Sequence, residues 1–553
     1  MSGLADPVEL LVNFNSVPFT EGWTEVGPLE VGVTTTRLGS GMRVDISLRN
    51  PGRQPVSLSH VAVRMDAWPE MVLEHGHQGR SVVRRCRPDD SRPERAELPD
   101  VIKGAQTSDP NSAGASVSGD QFLVTTLGVV GFLDARSHLS TVTASPRGVT
   151  ATALLDAVPL EPGAGRDLDP LWLSDGPPGR LYSELASHWG RQAGARVNGP
   201  SLLGWCSRYQ YFDDVSPADI RANIRLAATH GIQMMQMDSG YQAAIGDWLQ
   251  TKKGWDEPLG AVAADIQDAG LMAGIWTAPF LAGEDSMLYA DHPEWVATHA
   301  SGLPLRGAFD KAWNGWAYVL DTTRPEVLEH LRTVYSVLRA EGFAYQKVDL
   351  CFTAALPGRR SDPALTRAEA LRLGLEAVRD GVGDDAFLLA SGCPFGPAVG
   401  IVDAMRVSAD TAPHWAPEDE WPGLGEVSAA AVNAVQASVL RAPLHRRLFL
   451  NDPDCLILRP TSTELTAQQV AILVAVVTGV GGVTRLSDDL SLYRREQWDL
   501  LEVMRAVLSD VDTTLDIEDP FATAPHVRSK ASTTLTVDWR GGRSGPWAQL
   551  GVG

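Results

Sequence analysis

The chain has 553 residues, 44% hydrophobic and 21% charged, which is ordinary for a globular protein and long enough for two or three domains. Its formal net charge of −21 argues against nucleic acid or an anionic membrane as a partner. No basic, apolar leader opens the chain, no window of about 20 apolar residues exists, and five cysteines form no CxxC pair. A reducing cytoplasm is therefore expected. With no HExxH, zinc spacing, Walker sequence or Gly-rich phosphate loop, neither metal nor cofactor is expected.

Residues 1–190 read as an antiparallel β-sandwich. Alternating runs such as Val31–Thr36, Met42–Leu48, Val56–Val63, Phe122–Leu127 and Val149–Leu155 are separated by Gly, Pro, Asn and Asp. Polar residues 85–120 read as a surface excursion. From about Ser201 the texture changes to short apolar runs alternating with helical stretches. Strands are predicted at 202–206, 234–238, 272–276, 344–350, 386–391, 404–408, 447–450 and 475–484. A helix is predicted to start at Ser216-Pro-Ala-Asp-Ile, and others at 325–341, 366–381, 427–440 and 462–475. Eight strand–helix repeats over about 300 residues predict a (β/α)8 TIM barrel, with a doubly wound sheet as the rival. The barrel is assigned to 191–510 and a small C-terminal β appendage to 511–553, so the fold class is multidomain.

In such a barrel, reactive side chains belong at the C-terminal ends of strands. Polar residues recur there: Asp238, Lys347 with Asp349, and Arg406 with Asp410. Lys347 and Asp349 lie two apart and share a strand face, as do Arg406, Ser408 and Asp410. Burying a cation with a carboxylate is costly unless the two pair, so these strands predict a polar working pocket. Two carboxylates acting together are the tools of glycoside hydrolysis, one as nucleophile and one as acid/base. Lys347 beside Asp349 suits an ionised nucleophile. A cation beside Asp410 would oppose its role as an acid, so Arg406 is expected to contact the sugar and not Asp410. Asp452 and Asp454 are read as fixing a loop, and most of the 16 Trp as core.

The motifs Gly204-Trp-Cys-Ser-Arg-Tyr-Gln-Tyr-Phe, Gln236-Met-Asp-Ser-Gly-Tyr-Gln with Gly246-Asp-Trp, and Gly274-Ile-Trp-Thr-Ala-Pro-Phe-Leu-Ala-Gly occur in that order. Leu320-Asp-Thr-Thr-Arg-Pro-Glu, Lys347-Val-Asp, Arg406-Val-Ser-Ala-Asp and Asn451-Asp-Pro-Asp-Cys follow. Together they resemble glycoside hydrolase family 36, the melibiase-type α-galactosidases of the clan shared with family 27.

The resemblance implies a retaining exo-α-galactosidase, with Asp349 as nucleophile and Asp410 as acid/base. It further implies that Lys347 and Arg406 bond sugar hydroxyls and that Trp205 and Trp276 line the sugar subsite. Cys393 would sit near the 2-hydroxyl, and Asp238 would be the first of two acids gripping the 4- and 6-hydroxyls. Ser239, Asp247 and Trp248 complete the expected substrate-binding set.

Two departures stand out. The family's Asp-Asp-Gly-Trp is here Asp238-Ser-Gly-Tyr241, and the segment around Cys393 reads Ser-Gly-Cys-Pro-Phe-Gly. They keep open an α-N-acetylgalactosaminidase or another exo-α-glycosidase, and, as a different class, a silent sugar-binding protein. The expected partner is a carbohydrate substrate, with no nucleic acid and no membrane; a homo-oligomer is left open.

Overall fold

The computed structural model describes residues 3–13, 15–76, 83–90, 117–417, 428–510, 513–530, 533–540 and 547–551. Most of the excursion expected at 85–120 lies outside the described residues.

The N-terminal strands run from Pro7–Val12 to Leu171–Asp175 and pair antiparallel, apart from one parallel bridge at His75 and Gly119. They form one continuous hydrogen-bonded sheet instead of two separate ones. Strand Val72–His75 joins the two halves, pairing with Phe122–Thr125 on one side and meeting Val117–Asp120 through that bridge on the other, while strand Gly148–Leu160 bends at a bulge between Leu154 and Val158. Helix Pro178–Ala193 then leads to the barrel and stops at Gly194, whose left-handed backbone (φ 68°) lets its N–H cap the Gly190 carbonyl.

Eight parallel strands follow: β1 Leu202–Cys206, β2 Met234–Met237, β3 Met272–Thr277, β4 Tyr345–Val348, β5 Phe387–Ala390, β6 Ala404–Arg406, β7 split into Leu450–Asp452 and Cys455–Leu456, and β8 Val483–Leu486. Each pairs with the next, and β8 pairs with β1. The ring closes through the split in β7. Its first half pairs with β6, and its second half, beyond Pro453, pairs with β8.

Side chains alternate along each strand, so every second residue enters the barrel. The lower layer is apolar, with Leu202, Met234, Tyr345, Phe387, Leu450 and Val483 packed together. Two residues further along β2, β4, β7 and β8 the inward positions are Gln236, Lys347, Asp452 and Arg485, and polar chemistry begins.

Helix starts follow their sequence signals. Ser216, Thr366 and Thr466 each form a capping box with the third residue beyond, so Pro217–Thr229, Arg367–Val382 and Ala467–Val480 begin at fixed points.

Two predicted strands move. The run 475–484 continues the helix Ala467–Val480, whose all-round apolar surface is mostly buried; β8 starts only after Gly481 and Gly482. The β7 strand begins at Leu450 and not at Arg447. Residues 281–319 add an unpredicted three-stranded antiparallel sheet to the loop after β3. At the C-terminus a four-stranded antiparallel sheet packs on helix Ala467–Val480. Among the described residues no helix is long and apolar enough to cross a membrane.

Candidate active site

The C-terminal ends of β2, β4, β6, β7 and β8 converge on one charged network. Lys347 Nζ lies 3.0 Å from Asp238 Oδ2 and 3.6 Å from Asp349 Oδ2. Asp238 Oδ2 also accepts from Gln236 Nε2 at 2.6 Å, and Oδ1 accepts from the Ser239 amide at 3.0 Å. Burial works against the charge of Asp238, but Lys347 and Arg208 outweigh it and hold its carboxyl at about 2.

Asp349 is built in by its neighbours. Its amide donates to the Thr277 carbonyl at 2.8 Å, its Oδ1 accepts from the Leu350 amide at 2.7 Å, and its Oδ2 accepts from Trp276 Nε1 at 3.0 Å. Leu350 takes a left-handed backbone (φ 52°), a costly conformation for leucine that turns the chain sharply after Asp349. Burial raises the Asp349 carboxyl, yet Lys347, the indole N–H and Arg406 together bring it below the ordinary carboxylate range.

The second carboxylate behaves oppositely. Arg406 Nη1 donates to Asp410 Oδ1 at 3.0 Å, which corrects the expectation that Arg406 leaves Asp410 alone. Asp410 is nevertheless raised, by desolvation first and then by the charges of Asp454 and Asp349, which overcome Arg406. Its side chain is 63% exposed at the cleft, so solvent screens these influences and moderates the upward push. Arg406 does not depend on it. Its Nε lies 3.1 Å from Asp452 Oδ2 and its Nη2 2.6 Å from Asp454 Oδ1. Asp452 and Asp454 do more than shape a loop: they anchor Arg406 and Arg485 beneath the site. Arg485 reaches Asp452 Oδ2 at 2.5 Å and Gln236 Oε1 at 2.7 Å, and Tyr209 donates to Asp454 Oδ2 at 2.5 Å.

Sequence reasoning missed Arg485, Gln236, Arg208 and Tyr209. Arg485 lies two residues after Val483, so strand alternation exposes it once β8 is set at 483–486. Removing Arg485 takes away one of the two guanidiniums that balance the buried Asp452 and Asp454. Arg485→Met is expected to cost about 3–5 kcal/mol, read as a lower urea midpoint of the barrel transition.

Several expected contacts do not form. Trp205 is fully buried and bonds the Asp488 carbonyl through Nε1 at 2.8 Å. Its neighbours Gly204 and Cys206 take the inward face of β1, so Trp205 points to the helical layer and does not line the pocket. Cys393 is also fully buried, with Sγ 3.3 Å from the Pro394 carbonyl. The residue set against Asp349 there is Gly392, where an added Cβ would lie 3.4 Å from Asp349 Oδ1. Asp247 uses both oxygens to accept from the amides of Met287 and Leu288, at 2.9 and 3.1 Å, and so fixes a helix start in the β3 loop. Trp248 is buried edge-on to Trp276 with ring centres 5.8 Å apart, supporting it from behind. Among the described residues no group of three or more His, Cys, Asp or Glu has the arrangement of a metal site.

A polar pocket of paired carboxylates thus lies at the C-terminal mouth of the (β/α)8 barrel, the face on which barrel enzymes carry their chemistry. Residues 198–379 match the melibiase family model. The chain is 26% identical over 196 residues to α-galactosidase AgaA of Geobacillus stearothermophilus, a stretch covering 33% of this chain and 25% of that protein. It is 29% identical over 142 residues to a probable α-galactosidase G of Aspergillus terreus, covering 22% and 19%. The aligned stretch thus spans a quarter or less of these curated relatives. In structure the chain is similar to TtGalA, an α-galactosidase from Thermus thermophilus, with a TM-score of 0.72 and 22% identity over 97% of this chain and 99% of that one. AgaA itself aligns with a TM-score of 0.61 and 16% identity, over 96% and 80%.

Proposed function

We propose that this protein is a retaining exo-α-galactosidase that releases terminal α-linked galactose from oligosaccharides or glycosides by double displacement. In this reading Asp349 attacks the anomeric carbon and Asp410 protonates the leaving oxygen, then activates the incoming water. One observation carries it: two carboxylates of one cleft have environments that push their protonation apart. Lys347 and the Trp276 indole N–H favour an ionised Asp349, whereas partial desolvation in the cleft and the charge of Asp454 push Asp410 toward its protonated form. Asp238, Lys347 and Arg406 are taken as the hydrogen-bonding grip on the sugar ring, and Trp276 as its aromatic wall.

The family likeness supports galactose as the sugar, since TtGalA was solved with p-nitrophenyl α-D-galactopyranoside and with stachyose. The catalytic unit is taken as 191–510, flanked by the β-units 1–190 and 511–553. Five unbridged, buried cysteines favour action in the cytoplasm.

The test is initial rates on matched p-nitrophenyl α-glycosides of galactose, N-acetylgalactosamine and glucose, with the first-formed sugar followed by NMR. Galactose is expected to lead and to emerge as the α-anomer. A lead for another sugar, or release of the β-anomer, overturns the assignment.

A further inference from the structure

We propose that Asp213, carried by the loop after β1 and held by Ser239, is the second carboxylate of the sugar grip and reads the 6-hydroxyl of galactose. The proposal rests on the galactosidase reading above. The resemblance calls for two consecutive acids after β2, and this chain has Asp238 followed by Ser239. A neutral hydroxyl is a weaker acceptor for a sugar O–H than a carboxylate.

The missing charge comes from the neighbouring loop. Ser239 is 2% exposed, and its Oγ donates to Asp213 Oδ1 at 2.8 Å. Gln242 Nε2 donates to the same Oγ at 3.3 Å, so the serine hydroxyl is oriented with its proton toward Asp213. Because the Ser239 amide bonds Asp238, one serine ties both carboxylates together.

The position of Asp213 is built on both sides. Phe212 takes a left-handed backbone (φ 47°) and turns the chain toward β2. Lys252 Nζ donates to the Asp213 carbonyl at 2.6 Å. Gly240, at φ 115°, leaves room that no other residue would: an added Cβ would lie 2.6 Å from Asp213 Cα. Arg208 supplies the balancing cation, its Nη1 3.7 Å from Asp213 Oδ1. Asp238 and Asp213 both act on this guanidinium, so the two acids share one cation.

One oxygen is left for substrate. Asp213 Oδ2 accepts no hydrogen bond from a described residue, and the side chain is 33% exposed, against 3% for Asp238. The deeper acid suits a ring hydroxyl, and the shallower one suits the exocyclic hydroxymethyl. Carboxylates outnumber cations around the cleft, so a neutral CH2OH is favoured over a sugar carboxylate at this point.

The test compares p-nitrophenyl α-D-galactopyranoside with β-L-arabinopyranoside, its counterpart without the hydroxymethyl group. Asp213→Asn is expected to lower kcat/KM on the galactoside by about 10- to 100-fold, chiefly through KM, and to leave the arabinopyranoside within about twofold. The ratio of the two rates does not depend on how much of the variant folds. Exchanging the groups, Asp213→Ser with Ser239→Asp, is expected to restore the galactoside preference. An equal fall on both sugars, or no change on the galactoside, overturns the proposal. Failure of the unmutated protein on the galactoside instead removes the galactosidase reading beneath it.

Discussion

Alanine at Asp349 is expected to lower kcat on p-nitrophenyl α-galactoside by about 10⁴-fold or more while the protein stays folded, the scale on which loss of a covalent nucleophile is felt. Both halves of that outcome follow from the network. Lys347 keeps Asp238 at 3.0 Å when Asp349 is gone, so no buried cation is orphaned and the fold keeps its charge balance. The chemistry has no substitute, because the other carboxylates beneath the cleft are bound to Arg406 and Arg485 and cannot reach forward. The vacated space is bordered by an ammonium group and an indole N–H, both suited to a small anion. Azide is therefore expected to restore turnover in part and to give β-galactosyl azide, since it attacks from the face the carboxylate occupied. Full activity without azide, or an α-azide product, rules out Asp349 as nucleophile.

The barrel and the pairing of Lys347 with Asp349 were legible because strand alternation is a local rule. Lys347 and Asp349 lie two apart on one face and meet the same partners as the spacing implied. Most of the misreadings share one cause: residues whose direction is set from outside the local pattern. Trp205 sits between two inward residues and had to face outward, yet an aromatic at a strand end invites a stacking role. The valine-rich stretch before Gly481 has strand-forming side chains, but the capping box at Thr466 makes it a helix, and that error hid Arg485. Asp410 lies beyond the end of β6, and its contact with Arg406, which the shared face allowed, was set aside on the chemical ground that a cation opposes an acid. Asp213 and Arg208 belong to a loop whose path depends on packing against Gly240. Their meeting with Ser239 is a tertiary fact.

Asp410→Ala is expected to separate substrates by leaving group. On raffinose-type galactosides, whose departing alcohol must be protonated, the loss is expected to be about 10³-fold. On p-nitrophenyl α-galactoside the bond breaks with less help, so the first step survives better. The second step still lacks its base, so a glycosyl-enzyme is expected to accumulate and to be visible as an initial burst of nitrophenol. The pH profile carries the same assignment. On the proposed assignment activity needs Asp349 ionised and Asp410 protonated, so kcat/KM is expected to fall on the acid side as Asp349 takes up a proton. It falls on the alkaline side as Asp410 loses one. Asp349 lies below the ordinary carboxylate range and Asp410 above it, which leaves a working window between them. In Asp410→Ala the alkaline limb is expected to disappear while the acid limb remains. Arg406 stays anchored on Asp452 and Asp454 in that variant, so loss of the limb reports the missing proton and not a collapsed network. Equal losses on good and poor leaving groups, with both limbs intact, would assign the acid to another residue.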